Sequence, residues 1–169
     1  MQQKIIFLDD ENLIVNEGEK RVYSIGYEGK NIDRFVEILK KNEVKQLIDV
    51  RERAFSFKKG FSKTPLKTAL FNQGISYFHL PKLGTDKASR DQYKKTGNID
   101  ELLQLYRKRF NENYDSFIKL SEIAVTEYSA IMCFEDDHTK CHRQVIEQTL
   151  GQEGFEVINL CNGKRKGFS

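Results

Sequence analysis

Short apolar runs alternate with longer amphipathic segments along most of the chain, and this alternation limits the possible folds more than any other feature. The apolar runs are five to seven residues long, which is typical of buried strands. The segments between them repeat their apolar residues every three or four positions, as one face of a helix does. From residue 21 onward the order reads βαβαβααβαβ. Right-handed crossovers convert this order into an α/β fold with a mainly parallel sheet of about five strands and helices on both faces.

Caps and breakers give the approximate element boundaries. Asn31 is a suitable N-cap for the first helix, and Thr64 followed by Pro65 is a suitable start for the second. Residues 82–93, after the third strand, are expected to form a long loop. We predict strands at residues 21–25, 46–50, 75–80, 128–134 and 155–160, and helices at residues 32–39, 65–74, 99–110, 115–125 and 142–150.

The chain has 169 residues, the usual size of one domain, and it contains neither an internal repeat nor a Pro/Gly/Ser-rich linker. We therefore expect a single α/β domain over residues 21–161. Residues 1–20 form an N-terminal extension, in which Lys4–Phe7 and Leu13–Val15 are expected to pair as a short hairpin. Residues 162–169 form a basic tail that is expected to fray.

Charge and cysteine content bear on the partners and on the cellular setting. The net charge of +3 is compatible with an acidic partner such as nucleic acid, although it does not require one. No apolar stretch approaches the roughly 20 residues of a membrane span. Acidic residues stand where a signal peptide would have its cleavage site, and three cysteines do not make a disulfide framework. We expect a cytoplasmic protein without membrane contact and without a cofactor, and the oligomeric state is left open.

Polar residues and glycines follow the predicted strands at the edge where parallel sheets bind ligands. The first such group is Gly26-Tyr27-Glu28. It is either a plain turn between strand and helix, or a ligand contact in which Tyr27 stacks or hydrogen-bonds and Glu28 acts as an acid. The glycine spacing does not match a dinucleotide-binding fingerprint.

A second group, from Asp49 to Arg53, ends the second strand. A carboxylate at the end of an apolar strand needs a partner. Asp49 and Arg51 are therefore either a structural ion pair or a catalytic base beside an anion clamp. Arg53 stands two positions further and is expected to point the same way.

The loop that follows, residues 54–63, contains three aromatic residues and three lysines. Base-stacking aromatics beside cations that track the backbone are typical of proteins that bind single strands. Phe55, Lys58 and Lys59 are the candidate contacts. The alternative is a solvated basic loop with its phenylalanines in the core.

The densest group of reactive side chains lies between the fourth strand and the last helix. Cys141 and His142 fall at the predicted helix start, where exposed N–H groups favour anions and lower the pKa of a thiol. Together with Arg143 they predict a phosphate site that faces Glu135, a carboxylate at the strand end.

Two other interpretations of this group stay open. Cys141 beside His142 is a possible nucleophile with its base. The second is a zinc site, whose ligands would be Cys133, His138, Cys141 and His142. Apart from this alternative, we expect no metal. Adjacent ligands at positions 141 and 142 depart from the paired spacing of most zinc motifs.

Four blocks of sequence, spread over residues 21–160, occur in the order found in a known family. They are Ser24-Ile-Gly-Tyr-Glu-Gly29, Leu47-Ile-Asp-Val-Arg51, Gly74-Ile-Ser-Tyr-Phe-His-Leu-Pro-Lys-Leu-Gly84, and Met132-Cys-Phe-Glu135 with Cys141-His-Arg143. In these blocks the chain resembles the domain of unknown function 488 family. The resemblance implies a Rossmann-like three-layer domain and a loose link with nucleic-acid metabolism or DNA repair. It also implies a shared site formed by Gly26, Asp49, Arg51, Gly84, Cys133, Glu135, Cys141, His142 and Arg143.

The leading functional hypothesis is a hydrolase directed at nucleic acid or a nucleotide, with DNA as the expected partner. It would cleave an N-glycosidic or phosphoester bond, in a role similar to that of a DNA glycosylase in DNA repair. Asp49 or Glu135 would activate the attacking water. Arg51, Arg143 and the start of the last helix would hold phosphate.

Two alternatives accompany this hypothesis. The first is a non-catalytic nucleic-acid or nucleotide binding module, in which Arg53, Lys58 and Lys59 would give a strongly salt-dependent affinity. The second is a redox or metal protein built on Cys133 and Cys141.

Overall fold

A computed structural model describes residues 20–161 and the backbone of residues 164–167. The hairpin expected within residues 1–20 lies outside this part of the chain. In chain order the elements are β1 (Arg21–Gly26), α1 (Ile32–Lys41), β2 (Gln46–Asp49), α2 (Lys63–Phe71), β3 (Ser76–His79), α3 (Lys87–Thr96), α4 (Ile99–Glu112), α5 (Tyr114–Ala124), β4 (Ser129–Cys133), α6 (Arg143–Gln152), β5 (Glu156–Cys161) and β6 (Lys164–Gly167).

The six strands form one sheet in the order β3-β2-β4-β1-β5-β6. The first five are parallel to one another, and β6 pairs antiparallel with β5. The chain first builds one side of the sheet with β2 and β3, and it then returns to insert β4 between β1 and β2. The edge beyond the carboxyl ends of β1 and β4 is thus next to the point where strand order reverses, which is where such sheets bind ligands. The predicted α/β sandwich is confirmed.

Two hydrophobic cores lie on opposite faces of the sheet because neighbouring strand residues point to opposite sides. In β1, Tyr23 and Ile25 pack with the core that α1 and α2 cover, whereas Val22 belongs to the core under α4, α5 and α6. Both faces of the parallel strands are therefore buried, which explains their continuous apolar runs. Within residues 20–161 no helix combines the length and the apolar character needed to cross a membrane.

Local structure differs from the sequence-based expectation in three places. The loop expected at residues 82–93 contains α3, which Asp86 caps by accepting a hydrogen bond from the Ser89 N–H at 2.9 Å. The second helix is capped at Ser62 and not at Thr64, which lies inside α2. The tail expected to fray over residues 162–169 includes β6, whose backbone extends the sheet by one strand.

Two glycines allow backbone segments to meet at the carboxyl edge. A Cβ atom on Gly26 would lie 1.8 Å from the carbonyl oxygen of Glu135, and one on Gly84 would lie 2.0 Å from the backbone nitrogen of Glu52. Any side chain at either position would overlap main-chain atoms, which cannot turn aside as a flexible side chain can. At both positions the absence of a side chain allows close packing of the loops.

Replacing Gly26 with alanine should therefore destabilise the fold. We expect Gly26→Ala to lower the free energy of unfolding by about 1–3 kcal/mol or more, because β1 and the segment after β4 must separate. The matched control is Gly151→Ala in α6, where an added Cβ meets no atom within 4 Å. That change should leave stability unchanged or raise it by up to about 1 kcal/mol. Urea denaturation of both variants measures the difference, and equal stabilities would contradict the packing argument.

Candidate functional site

The site lies at the carboxyl ends of three adjacent central strands. The register pairs Gly26 of β1 with Cys133 of β4, and Asp49 of β2 with Met132 of β4. Beyond these pairs the segments stay joined, since the Tyr27 N–H donates to the Cys133 carbonyl and the Val50 N–H donates to the Met132 carbonyl. The segments that follow β1, β2 and β4 therefore meet at one edge of the sheet.

Two cysteine sulfurs surround one histidine nitrogen at this edge. Nδ1 of His142 lies 3.6 Å from the Cys141 sulfur and 3.9 Å from the Cys133 sulfur. The other ring nitrogen, Nε2, lies 3.2 Å from the carbonyl oxygen of Val50. A carbonyl only accepts hydrogen bonds, so Nε2 carries a proton, and Nδ1 is the ring nitrogen that faces the two sulfurs.

Arg143 is fully buried beside this group. Its Nε donates to the Cys141 sulfur at 3.4 Å, its Nη1 donates to the Ser24 hydroxyl at 3.1 Å, and its Nη2 donates to the Glu135 carbonyl. The sequence predicted Arg143 as a phosphate clamp. The guanidinium instead points into the protein and donates to internal acceptors. This geometry does not favour binding of a phosphate by Arg143.

The surroundings change the pKa values of both thiols. Burial alone would raise the pKa of Cys141, but the hydrogen bond with Cys133 and the charges of Arg143 and His142 lower it well below its usual value. The same hydrogen bond, together with burial, raises the pKa of Cys133 well above its usual value. The two shifts therefore favour a negative charge on Cys141 over one on Cys133.

Glu135 is the carboxylate nearest to these thiols. Its Oε2 atom is buried and has no hydrogen-bond partner within the described part of the chain. Burial raises the pKa of Glu135 to about 7, and the neighbouring Cys141 adds to the rise. The pKa of Tyr93, in α3, is raised by burial and then by the charges of Glu135 and Cys141. A buried carboxylate oxygen without a partner is unusual in a purely structural position.

A second buried carboxylate, Glu147, binds side chains next to the site. It was not identified from the sequence. It lies four positions after Arg143 on α6, and its Oε1 accepts a hydrogen bond from the Ser24 hydroxyl at 2.5 Å. Its Oε2 lies 2.8 Å from Nδ1 of His138. His138 therefore faces Glu147 and not the cysteines, so the four-residue zinc site considered from sequence does not assemble as such. The i, i+4 spacing of Arg143 and Glu147 was the available signal.

Asp49 and Arg51 form the structural ion pair that was one of the two sequence interpretations. The two side chains are bidentate, with distances of 2.9 Å from Nε to Oδ1 and 2.7 Å from Nη2 to Oδ2. The Tyr77 hydroxyl adds a hydrogen bond to Asp49 at 2.6 Å, and the third guanidinium nitrogen donates to the Phe61 carbonyl at 2.8 Å. Asp49 is 0% exposed. Fixed protein donors thus occupy both oxygens of this carboxylate.

Tyr27 and Glu28 also have internal partners. Tyr27 is buried and stacks on Phe61 with ring centres 4.5 Å apart, while Glu28 accepts a hydrogen bond from the Asp136 N–H at 3.0 Å. Lys30, which the sequence did not single out, is 4% exposed and donates to the Gly26 carbonyl and to the Asp136 carboxylate. These contacts shape the wall of the site and leave neither aromatic ring free to stack on a ligand.

In the basic loop next to this wall, one phenylalanine lies in the core and two are exposed. Phe61 is buried in the core, whereas Phe55 is 60% and Phe57 97% exposed, with ring centres 5.0 Å apart. Lys58 donates to the Tyr27 carbonyl at 3.2 Å, and Arg53 and Lys59 are exposed. Ser56 and Ser62 close the loop, because the Ser62 hydroxyl accepts from the Ser56 N–H and donates to its carbonyl.

The fold and the site define a three-layer α/β protein with a thiol, imidazole and guanidinium cluster at the carboxyl edge of its parallel strands. Residues 31–150 match the family model described as "Domain of unknown function DUF488". Because the match covers more than half of the 169 residues, the chain belongs to this family. No curated protein and no solved structure matched the chain in the other two comparisons.

The two arginines of the second loop should differ sharply in their effect on stability. Arg51→Ala leaves the buried Asp49 carboxylate without its cation, and we expect it to cost about 3–5 kcal/mol of unfolding free energy. Arg53 is exposed, so Arg53→Ala should change stability by less than about 0.5 kcal/mol. Chemical denaturation tests both variants. A small effect of Arg51→Ala would mean that the ion pair does not hold this edge together.

Proposed function

We propose that the chain is a hydrolase that acts on a nucleic acid or nucleotide, with Glu135 as the residue that exchanges protons with the attacking water. The observation that carries this proposal is the buried Oε2 atom of Glu135, which has no hydrogen-bond partner among the residues that the structure describes. A substrate hydroxyl, a leaving-group atom or a water molecule would supply the missing hydrogen bond.

Hydrolysis at this site divides into two proton transfers. The oxygen of water bonds to the electrophilic atom, either the anomeric carbon of an N-glycosidic bond or the phosphorus of a phosphoester. The proton released by water passes to the Glu135 carboxylate, and the bond to the leaving group breaks. Glu135 then returns a proton to the leaving base or alcohol, so that one water is consumed and the enzyme is regenerated.

The substrate class is supported by the chemistry of residues 53–67. This segment contains five lysine or arginine residues and no acidic residue. It also presents the exposed rings of Phe55 and Phe57. Cations that follow a phosphate backbone and rings that stack on bases are the two requirements of nucleic-acid binding without sequence reading.

The basic loop is linked to the segment that carries Glu135 through Tyr27 and Phe134. Lys58 donates to the Tyr27 carbonyl, and the ring of Tyr27 lies 5.2 Å from that of Phe134, the residue before Glu135. A strand bound to the loop would therefore pass close to the carboxylate. In this proposal Arg53, Lys58 and Lys59 contact phosphate, in place of the internally bonded Arg51 and Arg143.

Glu135→Gln should lower the turnover of a cleaved oligonucleotide by about 10²–10⁴-fold, because the amide keeps the shape of the side chain but cannot accept the proton. Binding of the same oligonucleotide should change little. The measurement is a screen of purified protein against unmodified and base-modified oligonucleotides, followed by single-turnover rates on the substrate found.

Glu28→Gln is the matched control for this change, since Glu28 is an exposed carboxylate at the same edge of the sheet. It should retain most of the activity. Equal turnover in the wild type and in Glu135→Gln would overturn the catalytic role. Tight, salt-dependent binding of every oligonucleotide without cleavage would favour a binding module instead.

Phe57→Ala should weaken the binding of single-stranded oligonucleotides by about 1–3 kcal/mol, the range seen when one base-stacking ring is removed. The control is Phe71→Ala in α2, because Phe71 is 80% exposed but lies outside the basic loop. Fluorescence anisotropy at fixed salt concentration compares the two variants. Similar losses in both would mean that the loop does not contact the bases.

A further inference from the structure

Three metal-binding atoms converge beside β4, and we propose that they hold one zinc ion: the sulfurs of Cys133 and Cys141 and Nδ1 of His142. All three side chains are buried, and the three donor atoms lie within 4.8 Å of one another. The inference concerns the site of the proposed hydrolase, but it rests on the geometry of the cluster and not on the identity of the substrate.

Two of the three donor separations fit a tetrahedral ion, and the two sulfurs, which lie within 4.8 Å of each other, would come to about 3.8 Å around it. Zinc bound at about 2.3 Å to sulfur and at about 2.0–2.1 Å to nitrogen separates the sulfur from the nitrogen by about 3.6 Å. The corresponding distances from Nδ1 of His142 are 3.6 Å to the Cys141 sulfur and 3.9 Å to the Cys133 sulfur. The imidazole nitrogen is thus already placed as a ligand relative to each sulfur.

The outer partners of the cluster also match a metal site. A histidine that binds a metal through one ring nitrogen usually donates the other N–H to a backbone carbonyl or a carboxylate, which fixes the ring. Nε2 of His142 makes this bond to the Val50 carbonyl. The N–H···S bond from Arg143 to Cys141 orients the second ligand in the same manner.

Adjacent residues act together here because the backbone changes conformation between them. Cys141 is extended, with φ −133° and ψ 147°, whereas His142 has the helical values φ −59° and ψ −17° at the start of α6. Side chains of consecutive extended residues would point apart. The switch into the helix brings both donor atoms to the same side, which the spacing of ligands in the sequence did not suggest.

Three protein ligands leave a fourth position, as in catalytic zinc sites. Glu135 follows Cys133 by two residues and has a buried oxygen with no partner among the described residues. Water or a substrate atom would complete the coordination of the proposed ion, and zinc would supply Lewis-acid activation of the species bound there.

Titration with cobalt tests the assignment, because Co²⁺ replaces Zn²⁺ in tetrahedral sites and gives visible bands and a sulfur-to-metal absorption. The full chain is purified, treated with a chelator and a thiol reductant, and titrated with Co²⁺. We expect one equivalent to produce both absorptions and one equivalent of Zn²⁺ to remove them. Elemental analysis of the untreated protein should find about one zinc per chain.

Matched variants locate the site. Cys141→Ser and Cys133→Ser should each lower the affinity for Co²⁺ by more than the roughly 10–100-fold typical of a lost outer partner. Cys161→Ser should retain it, because the third cysteine lies outside the cluster. His142→Gln should abolish binding and His138→Gln should not, since His138 faces Glu147.

The outcomes separate this inference from the proposed function. A reduced wild-type chain without the sulfur-to-cobalt absorption overturns the zinc site, whatever the variants do. So does an equal loss of cobalt in Cys161→Ser and Cys141→Ser. Glu135-dependent hydrolysis in a protein that binds no metal would leave the hydrolase proposal standing, whereas stoichiometric metal without hydrolysis of any oligonucleotide would leave the zinc site standing.

Discussion

The buried guanidinium of Arg143 is the interaction on which the site depends. It connects β1 through Ser24, the segment after β4 through the Glu135 carbonyl, and the start of α6 through Cys141. A charge without solvent is costly unless acceptors surround it. Three acceptors and the nearby Glu147 carboxylate meet this need. The positions of both reactive side chains, Cys141 and Glu135, therefore follow from the requirement to satisfy one cation.

A second buried cation holds the same segment from the other side. Lys30 donates to the Gly26 carbonyl and to the Asp136 carboxylate, while Arg143 binds the carbonyl of Glu135. The main chain of residues 135–136 is thus fixed between two cations and packed against Gly26, where even a methyl group would overlap it. These contacts fix the backbone that carries Glu135 and direct its side chain toward the thiols. The loop therefore cannot move to expose the carboxylate to solvent.

Periodicity predicted the parallel strands and most helices because each carries an apolar face. It failed at α3, where Ser89 is the buried residue and no apolar stripe exists; the Asp86 cap was the remaining signal. It also failed to separate Asp49 from Glu135, two carboxylates that follow buried strands in the same manner. The difference lies in their partners: Arg51 and the distant Tyr77 bind Asp49, whereas the Oε2 atom of Glu135 has no partner among the described residues. Likewise, the sequence pattern alone does not distinguish Glu147 from an exposed helix residue, whereas in the structure it is buried.

The two carboxylates at this edge of the sheet, Asp49 and Glu135, differ in whether protein groups satisfy their charge. Asp49 is matched by a bidentate arginine and a tyrosine hydroxyl, so its charge is fully used in holding the loop after β2 to the core. Glu135 receives no such cation, because Arg143 binds its main-chain carbonyl and directs its remaining donors to Ser24 and Cys141. The Oε2 atom of Glu135, without a partner among the described residues, is stabilised when a donor or a cation binds beside it. The proposed zinc ion and the proposed substrate are two species that would supply such a partner.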